Sequence, residues 1–219
     1  HRNNFFYYFI IFFLFLFQGF LGWFMVSSGL TDNADVSHFR LAAHLSVAFL
    51  ILGLIFWSYL NTDNSNLSIN FSWSMVFMIL FLFLFFVQIV FGAFTSGLDA
   101  GLIYQTWPKM NLNYFPEEVT VKSFFSKELL FDRAHIQLFH RLNAYLIFII
   151  FLIFYIVNLS SIKKNIFYTN LLMTFLLIQI ILGIVTLTSG VNIYLAALHQ
   201  LTSVFLMMTI LMMMYKLKS

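Results

Sequence analysis

The sequence contains no cysteine. That excludes disulfides, thiolate ligands and iron–sulfur clusters, so any redox chemistry requires a bound cofactor. Charge is also scarce. Only 9% of the 219 residues are Asp, Glu, Lys or Arg, against about a quarter in an ordinary soluble domain. The net charge of +3 is small and scattered, and offers no basic patch for nucleic acid. What is present is apolar: 62% of the residues are hydrophobic, and the mean hydropathy is +0.93. One water-soluble core cannot hide that excess, so the solvent must be lipid. The 31 phenylalanines carry no functional reading of their own.

The few charges mark the spans. Long runs without them predict helices at roughly Phe5–Val26, Arg40–Leu60, Ser72–Phe94, His135–Asn158, Ile166–Leu187 and Tyr194–Tyr215. Each is close to the ~20 residues needed to cross hydrocarbon. Helices rather than strands follow from the run lengths and the lack of alternation. The fifth and sixth spans lie in one uncharged stretch, divided by Thr188-Ser189-Gly190-Val191-Asn192. The first apolar run is too long for a signal peptide and lacks a small-residue cleavage site. It reads as a true span, and the chain, opening on His1, as a fragment whose start is missing.

Six spans put both termini on one side, with Arg2, Lys163, Lys164, Lys216 and Lys218 against Asp63. The acidic loops and the long segment of about 95–134 lie on the other. Basic counts on the two sides are nearly equal. The short loops place the termini inside, in cytoplasm or matrix. A loop of this length is expected to be functional or to carry short helices of its own.

An internal repeat runs through the chain. Gln18, Leu21, Gly22, Ser28 and Gly29 align with Gln179, Leu182, Gly183, Ser189 and Gly190. Leu41-Ala42-Ala43-His44 parallels Leu195-Ala196-Ala197-Leu198-His199, and Gln88 with Gly92 repeats the Gln–Gly step. An i,i+4 pair shares one helix face. The glycine admits a neighbouring helix or a flat ligand, and the glutamine offers hydrogen bonds. One such pair is ordinary small-residue packing; three point to duplication. The second copy has four spans and the first shows two. The expectation is therefore an all-α polytopic membrane protein with six transmembrane helices of eight, built as two pseudo-symmetric four-helix bundles. Residues 1–70 would be half of the first bundle and residues 71–219 the second.

Of six histidines, His1, His38 and His135 fall at span boundaries and read as interfacial. His44, His140 and His199 each lie about 6–9 Å into a helix descending from the long-loop face. An imidazole in a span is costly without a partner. Each alone could be a hydrogen-bonded packing residue. Three at one depth, two of them on alternate helices of one bundle, suit axial ligation of heme iron. Zinc fits less well, because no third or fourth buried ligand is evident. Arg40 and Arg141 stand beside these histidines. Either they snorkel to the interface or they meet an anion such as a heme propionate.

Five segments in order carry a family resemblance. They are Gln18-Gly19-Phe20-Leu21-Gly22-Trp23 continuing to Leu30, Val36-Ser37-His38-Phe39-Arg40-Leu41-Ala42-Ala43-His44, Gly92-Ala93-Phe94-Thr95-Ser96-Gly97 leading into Gln105-Thr106-Trp107-Pro108-Lys109-Met110, Gln137-Leu138-Phe139-His140-Arg141, and His199-Gln200. Together they resemble the heme A synthases of mitochondria and proteobacteria. The family usually has Asn where Gln105 stands and a different run at Lys109-Met110-Asn111-Leu112.

The resemblance implies oxidation of a methyl group of heme O to a formyl, giving heme A for cytochrome oxidase. It implies a resident heme b on His140 and His199 with Arg141 nearby, and a substrate heme O site with His44, Arg40 and Trp107. The three histidines are thus the expected iron ligands. The histidine facing His44 and a glutamate implicated in catalysis belong to the missing segment, so no catalytic residue is assigned. Implied partners are the farnesyltransferase that makes heme O, an electron donor such as ferredoxin or quinol, and the bilayer; the resemblance is compatible with a homo-oligomer. The implied location is the bacterial cell membrane or the mitochondrial inner membrane. The rival readings are a quinol-linked b-type cytochrome, a heme carrier and a transporter.

Overall fold

A computed structural model describes residues 2–27, 36–62, 72–120, 122–126, 129–157 and 163–218. His1, Ser28, Gly29 and Asp63 lie outside them. Six helices follow: α1 (Arg2–Val26), α2 (His38–Leu60), α3 (Trp73–Gly97), α4 (Arg133–Val157), α5 (Ile166–Thr188) and α6 (Ile193–Lys218). All six are long and apolar enough to cross a membrane. With no strand among the described residues, the chain is an all-α polytopic membrane protein. The six spans match the charge-free runs to within a few residues. The long loop carries two short 3-10 turns, Ala100–Leu102 and Ser123–Phe125.

Helix ends are set by local chemistry. Ser72 Oγ accepts from the Met75 amide at 3.2 Å and caps α3. The Asp132 carboxylate takes the amides of Ala134 and His135 at the start of α4. Asn192 Oδ1 takes those of Tyr194 and Leu195 at the start of α6. Between α5 and α6, Gly190 adopts φ +73°. Its amide reaches the Leu187 carbonyl, while the Val191 amide reaches Thr186. This is the paired closure that ends a helix at a left-handed residue, and it explains why an uncharged stretch still breaks into two spans.

The helices pack as a chain of neighbours: α1 on α2, α2 on α3 and α6, α3 on α4 and α6, and α5 on α6. The main apolar core lies toward the end of the bundle that carries the C-terminus. It includes Phe81, Phe85, Phe151, Phe154, Met207 and Ile210. The only fully buried core residues of α4 here are Ile147, Phe151 and Phe154, and those of α6 begin at Leu206. Toward the long-loop end this core stops, and α4 backs closely onto α3 but not onto α5 or α6. A smaller cluster of Ala42, Ala93, Phe94, Ala100 and Ile136 closes α2, α3 and α4 there.

Candidate functional site

Three helix pairs, α1/α2, α3/α4 and α5/α6, each build the same small device. The first helix of each pair carries the Gln–Gly step, and the second carries the histidine. Gln18 Nε2 donates to the His44 carbonyl at 3.1 Å, Gln88 Nε2 to the His140 carbonyl at 3.1 Å, and Gln179 Nε2 to the His199 carbonyl at 3.0 Å. The same amide nitrogen lies 3.3, 3.3 and 3.4 Å from the respective ring Nε2. One turn along, the glycine makes room for the ring. A Cβ on Gly22, Gly92 or Gly183 would stand 3.1, 3.3 or 3.1 Å from the Cε1 of its histidine. Each imidazole therefore packs its Cε1 corner against a glycine, steered by a glutamine. The repeated Gln–Gly pairs of the sequence are imidazole cradles, not generic helix contacts.

All three ring Nδ1 atoms are buried without a partner. With the amide donating to Nε2, the ring proton sits on Nδ1 and the Nε2 lone pair faces the glutamine; a metal at Nε2 would take that lone pair in place of the amide N–H. His140 and His199 stand on α4 and α6, which do not close on one another. Apolar side chains near this level, including Leu142, Leu146, Leu198 and Leu201, are substantially exposed. Two neutral imidazoles, an apolar surround and no competing ligand among the described residues are a donor set that fits heme iron. His44 sits in an identical cradle on the separate α1/α2 pair.

The arginines have partners already. Arg40 Nη1 donates to the Phe24 carbonyl at 2.8 Å, and its guanidinium lies 3.7 Å over the Phe24 ring. It therefore serves the C-terminal end of α1, where a cation is favoured. Arg141 is buried and donates to the carbonyls of Tyr104 at 3.0 Å and Lys109 at 3.3 Å. Gln137 shares the Tyr104 carbonyl at 2.9 Å. Arg141 thereby ties the long loop to the helix of His140, with its Nε still unpartnered. Trp107 Nε1 donates to Tyr145 Oη at 3.1 Å. Trp107, Pro108, Met110, Leu138, Arg141 and Tyr145 border an open cavity of about 400 Å³ on the long-loop face.

The two boundary histidines within the described residues stand at helix starts and are buried there. His38 is buried edge-on against Phe94 and Phe131, and a Cβ on Gly97 would meet its backbone at 2.8 Å. His135 is 3% exposed, bonded through Nδ1 to Asp132 and through Nε2 to Ser123 Oγ at 2.8 Å. Ser123 Oγ also takes the Thr120 amide and gives to the Thr120 carbonyl. The serine, so occupied, is a strut that pins the loop and not a free nucleophile. Elsewhere in the loop Tyr104 Oη donates to Glu118 at 2.7 Å. Partial burial, then Glu118, push the Tyr104 phenol up to about 12.

Sequence reasoning missed two residues that complete the cradles. Asn143 Nδ2 donates to Gln88 Oε1 at 2.8 Å, and Thr202 Oγ1 donates to Gln179 Oε1 at 2.6 Å. Both stand three residues after a histidine, a register that could have drawn attention to them.

Comparison with known proteins shows the family. Residues 1–211 match the profile of the COX15-CtaA family, described as cytochrome oxidase assembly protein. A heme A synthase of Pelagibacter ubique is 44% identical over 213 residues, covering 95% of this chain and 62% of that one. Heme A synthases of Rickettsia felis and Rickettsia africae are each 37% identical, covering 93% and 97% of this chain and 62% and 64% of theirs. The chain thus spans rather less than two thirds of the length of these relatives. The chain belongs to the COX15-CtaA family of cytochrome oxidase assembly proteins.

Proposed function

We propose that the full protein is a heme A synthase, oxidising a methyl group of heme O to a formyl, and that His140 and His199 hold a resident heme b. The observation that carries this reading is the matched pair of cradles on α4 and α6. Each holds an imidazole, through a glutamine on the neighbouring helix, where α4 and α6 do not close on one another. The names of the relatives support the reaction. Heme b, when bound, supplies the one-electron and oxygen chemistry that no side chain of a cysteine-free chain provides.

The chain's own residues bind and orient. Gly92 and Gly183 make room for the Cε1 corners of the rings, and Gln88 and Gln179 would set which ring nitrogen carries the proton. Apolar walls of the bundle exclude water from a lipid-soluble porphyrin. Arg141, held at the loop, leaves its buried Nε–H unpartnered, a donor that a propionate would take. His44 would face the substrate heme O, with Arg40 fixing the helix end beside it and Trp107 closing the loop above. The helices α3–α6 would form one bundle, and α1 with α2 half of another. The long loop would face the periplasm or intermembrane space, and the termini the cytoplasm or matrix. Ferredoxin or quinol would supply electrons, and the heme O farnesyltransferase the substrate.

The test is to purify the full-length protein from cells that make heme O, extract its hemes and separate them with mass detection. Formyl-bearing heme A together with heme b supports the synthase. Heme b alone, unchanged when heme O is supplied, overturns it in favour of an electron-transfer cytochrome.

A further inference from the structure

The start of the long loop lies across the gap between α4 and α6. The 3-10 turn Ala100–Leu102 packs on α3 and α4, and Ala100 is fully buried there. Two residues on, Gln137 and Arg141 of α4 both donate to the Tyr104 carbonyl. The opposite side of the same segment rests on the turn between α5 and α6. A Cβ on Gly101 would stand 3.0 Å from Val191 Cγ2, and one on Gly190 would stand 3.7 Å from Gln105 Oε1. Residues 100–105 therefore bridge α4 to the α5–α6 turn, at the end where α4 and α6 do not close on one another. His140 and His199 lie about two turns down the two sides of that gap.

Val191 is the strained point of this contact. It takes φ +59°, a left-handed conformation that a β-branched residue adopts only under constraint. Stopping α5 does not require it. Gly190 already supplies the left-handed residue. The bond from the Val191 amide to the Thr186 carbonyl is aimed by the preceding peptide plane, whatever φ Val191 takes. The connection into α6 would be served without strain by a glycine, but a glycine has no side chain to reach Gly101. The strained valine gains that contact, and Gly101 leaves the room for it.

We infer that Val191 is a positioning residue for the resident heme, its side chain fastening residues 100–105 as a roof over the cleft between His140 and His199. The inference rests on the reading of those two histidines as heme ligands. A fastened roof shields the outer end of the cleft from water, and heme leaving toward the long-loop face must first lift it. The fastening is one side chain against one glycine, so the roof can open while the helices that carry the ligands stay packed.

The test uses the full-length protein carrying heme, in a His44→Ala background, with apomyoglobin in excess as a water-soluble acceptor. Heme loss from the remaining site is followed by its low-spin absorbance, and hydrogen exchange of residues 98–106 by mass spectrometry. Val191→Gly relieves the strain and removes the contact. Heme loss should quicken about fivefold, equivalent to about 1 kcal/mol, and residues 98–106 should exchange faster. A valine that served only the turn would leave both rates unchanged on this substitution. Gly101→Ala, whose added carbon meets Val191 Cγ2 at 3.0 Å, should act in the same direction. Combining Gly101→Ala with Val191→Ala moves a methyl from one side of the contact to the other, and should return both rates toward the wild type. Unchanged heme loss in Val191→Gly would overturn the inference, whether or not the loop exchanges faster and even if Gly101→Ala folds poorly. Low-spin heme that survives His140→Ala and His199→Ala would instead overturn the underlying assignment of the ligands.

Discussion

Replacing Gly183 by alanine puts a methyl carbon 3.1 Å from Cε1 of His199. Carbon atoms in good contact stand about 3.5–4.0 Å apart, so the ring must retreat by a few tenths of an ångström. The ring cannot do so freely, because its helix is held through the Gln179 bond to its own carbonyl. Overpacking of this kind costs about 1–3 kcal/mol. The helix propensity that alanine gains is the same with and without heme, so it does not offset this cost. A loss of about 1–3 kcal/mol corresponds to about 5–150-fold weaker heme binding. Gly92→Ala, with the ring at 3.3 Å, should cost less. Gly19→Ala is the control, since nothing lies within 4 Å of its added carbon. Heme titration of the three variants, with heme-to-protein ratio by pyridine haemochrome, gives the order. The reasoning predicts Gly183→Ala weakest, then Gly92→Ala, with Gly19→Ala like the wild type. Equal affinity for Gly183→Ala and Gly19→Ala would refute it.

Two further predictions concern the long loop. Arg141→Lys cannot span the carbonyls of both Tyr104 and Lys109, and leaving one of them without its donor costs about 1–3 kcal/mol. Limited proteolysis should then cut between residues 103 and 132 faster than in the wild type. The Tyr104 phenol, raised from 10.0 to about 12 by burial and by Glu118, keeps its proton longer in the fold than in the unfolded chain. Its contribution to stability is therefore complete below pH ~10 and lost as pH rises toward ~12. Absorbance titration should show one late-ionising tyrosine, and Glu118→Gln should bring that ionisation down.

The spans were legible because lipid forbids charge, so charge-free runs of the right length report helices directly. The break at Gly190 was legible for the same reason that it works: a glycine can take φ +73° where a helix must stop. Gln18–Gly22, Gln88–Gly92 and Gln179–Gly183 were visible as a pattern, but their partners were not. Only the pairing of α1 with α2, α3 with α4 and α5 with α6 brings each step onto a histidine. The partners of the arginines were hidden for a different reason. Arg40 and Arg141 bond to backbone carbonyls, which every residue possesses and no side chain announces. His38 and His135 stand at helix starts, where sequence reads an interface; the loop residues Phe131 and Ser123 fold over them and bury them.

The most direct test of the ligand assignment is the low-spin heme signal of the full-length protein in three single variants, His44→Ala, His140→Ala and His199→Ala, recorded by absorbance and electron paramagnetic resonance. The account predicts that His140→Ala and His199→Ala each abolish the bis-imidazole signal of the resident heme while His44→Ala preserves it. A signal that persists in His140→Ala, or disappears in His44→Ala alone, would contradict it.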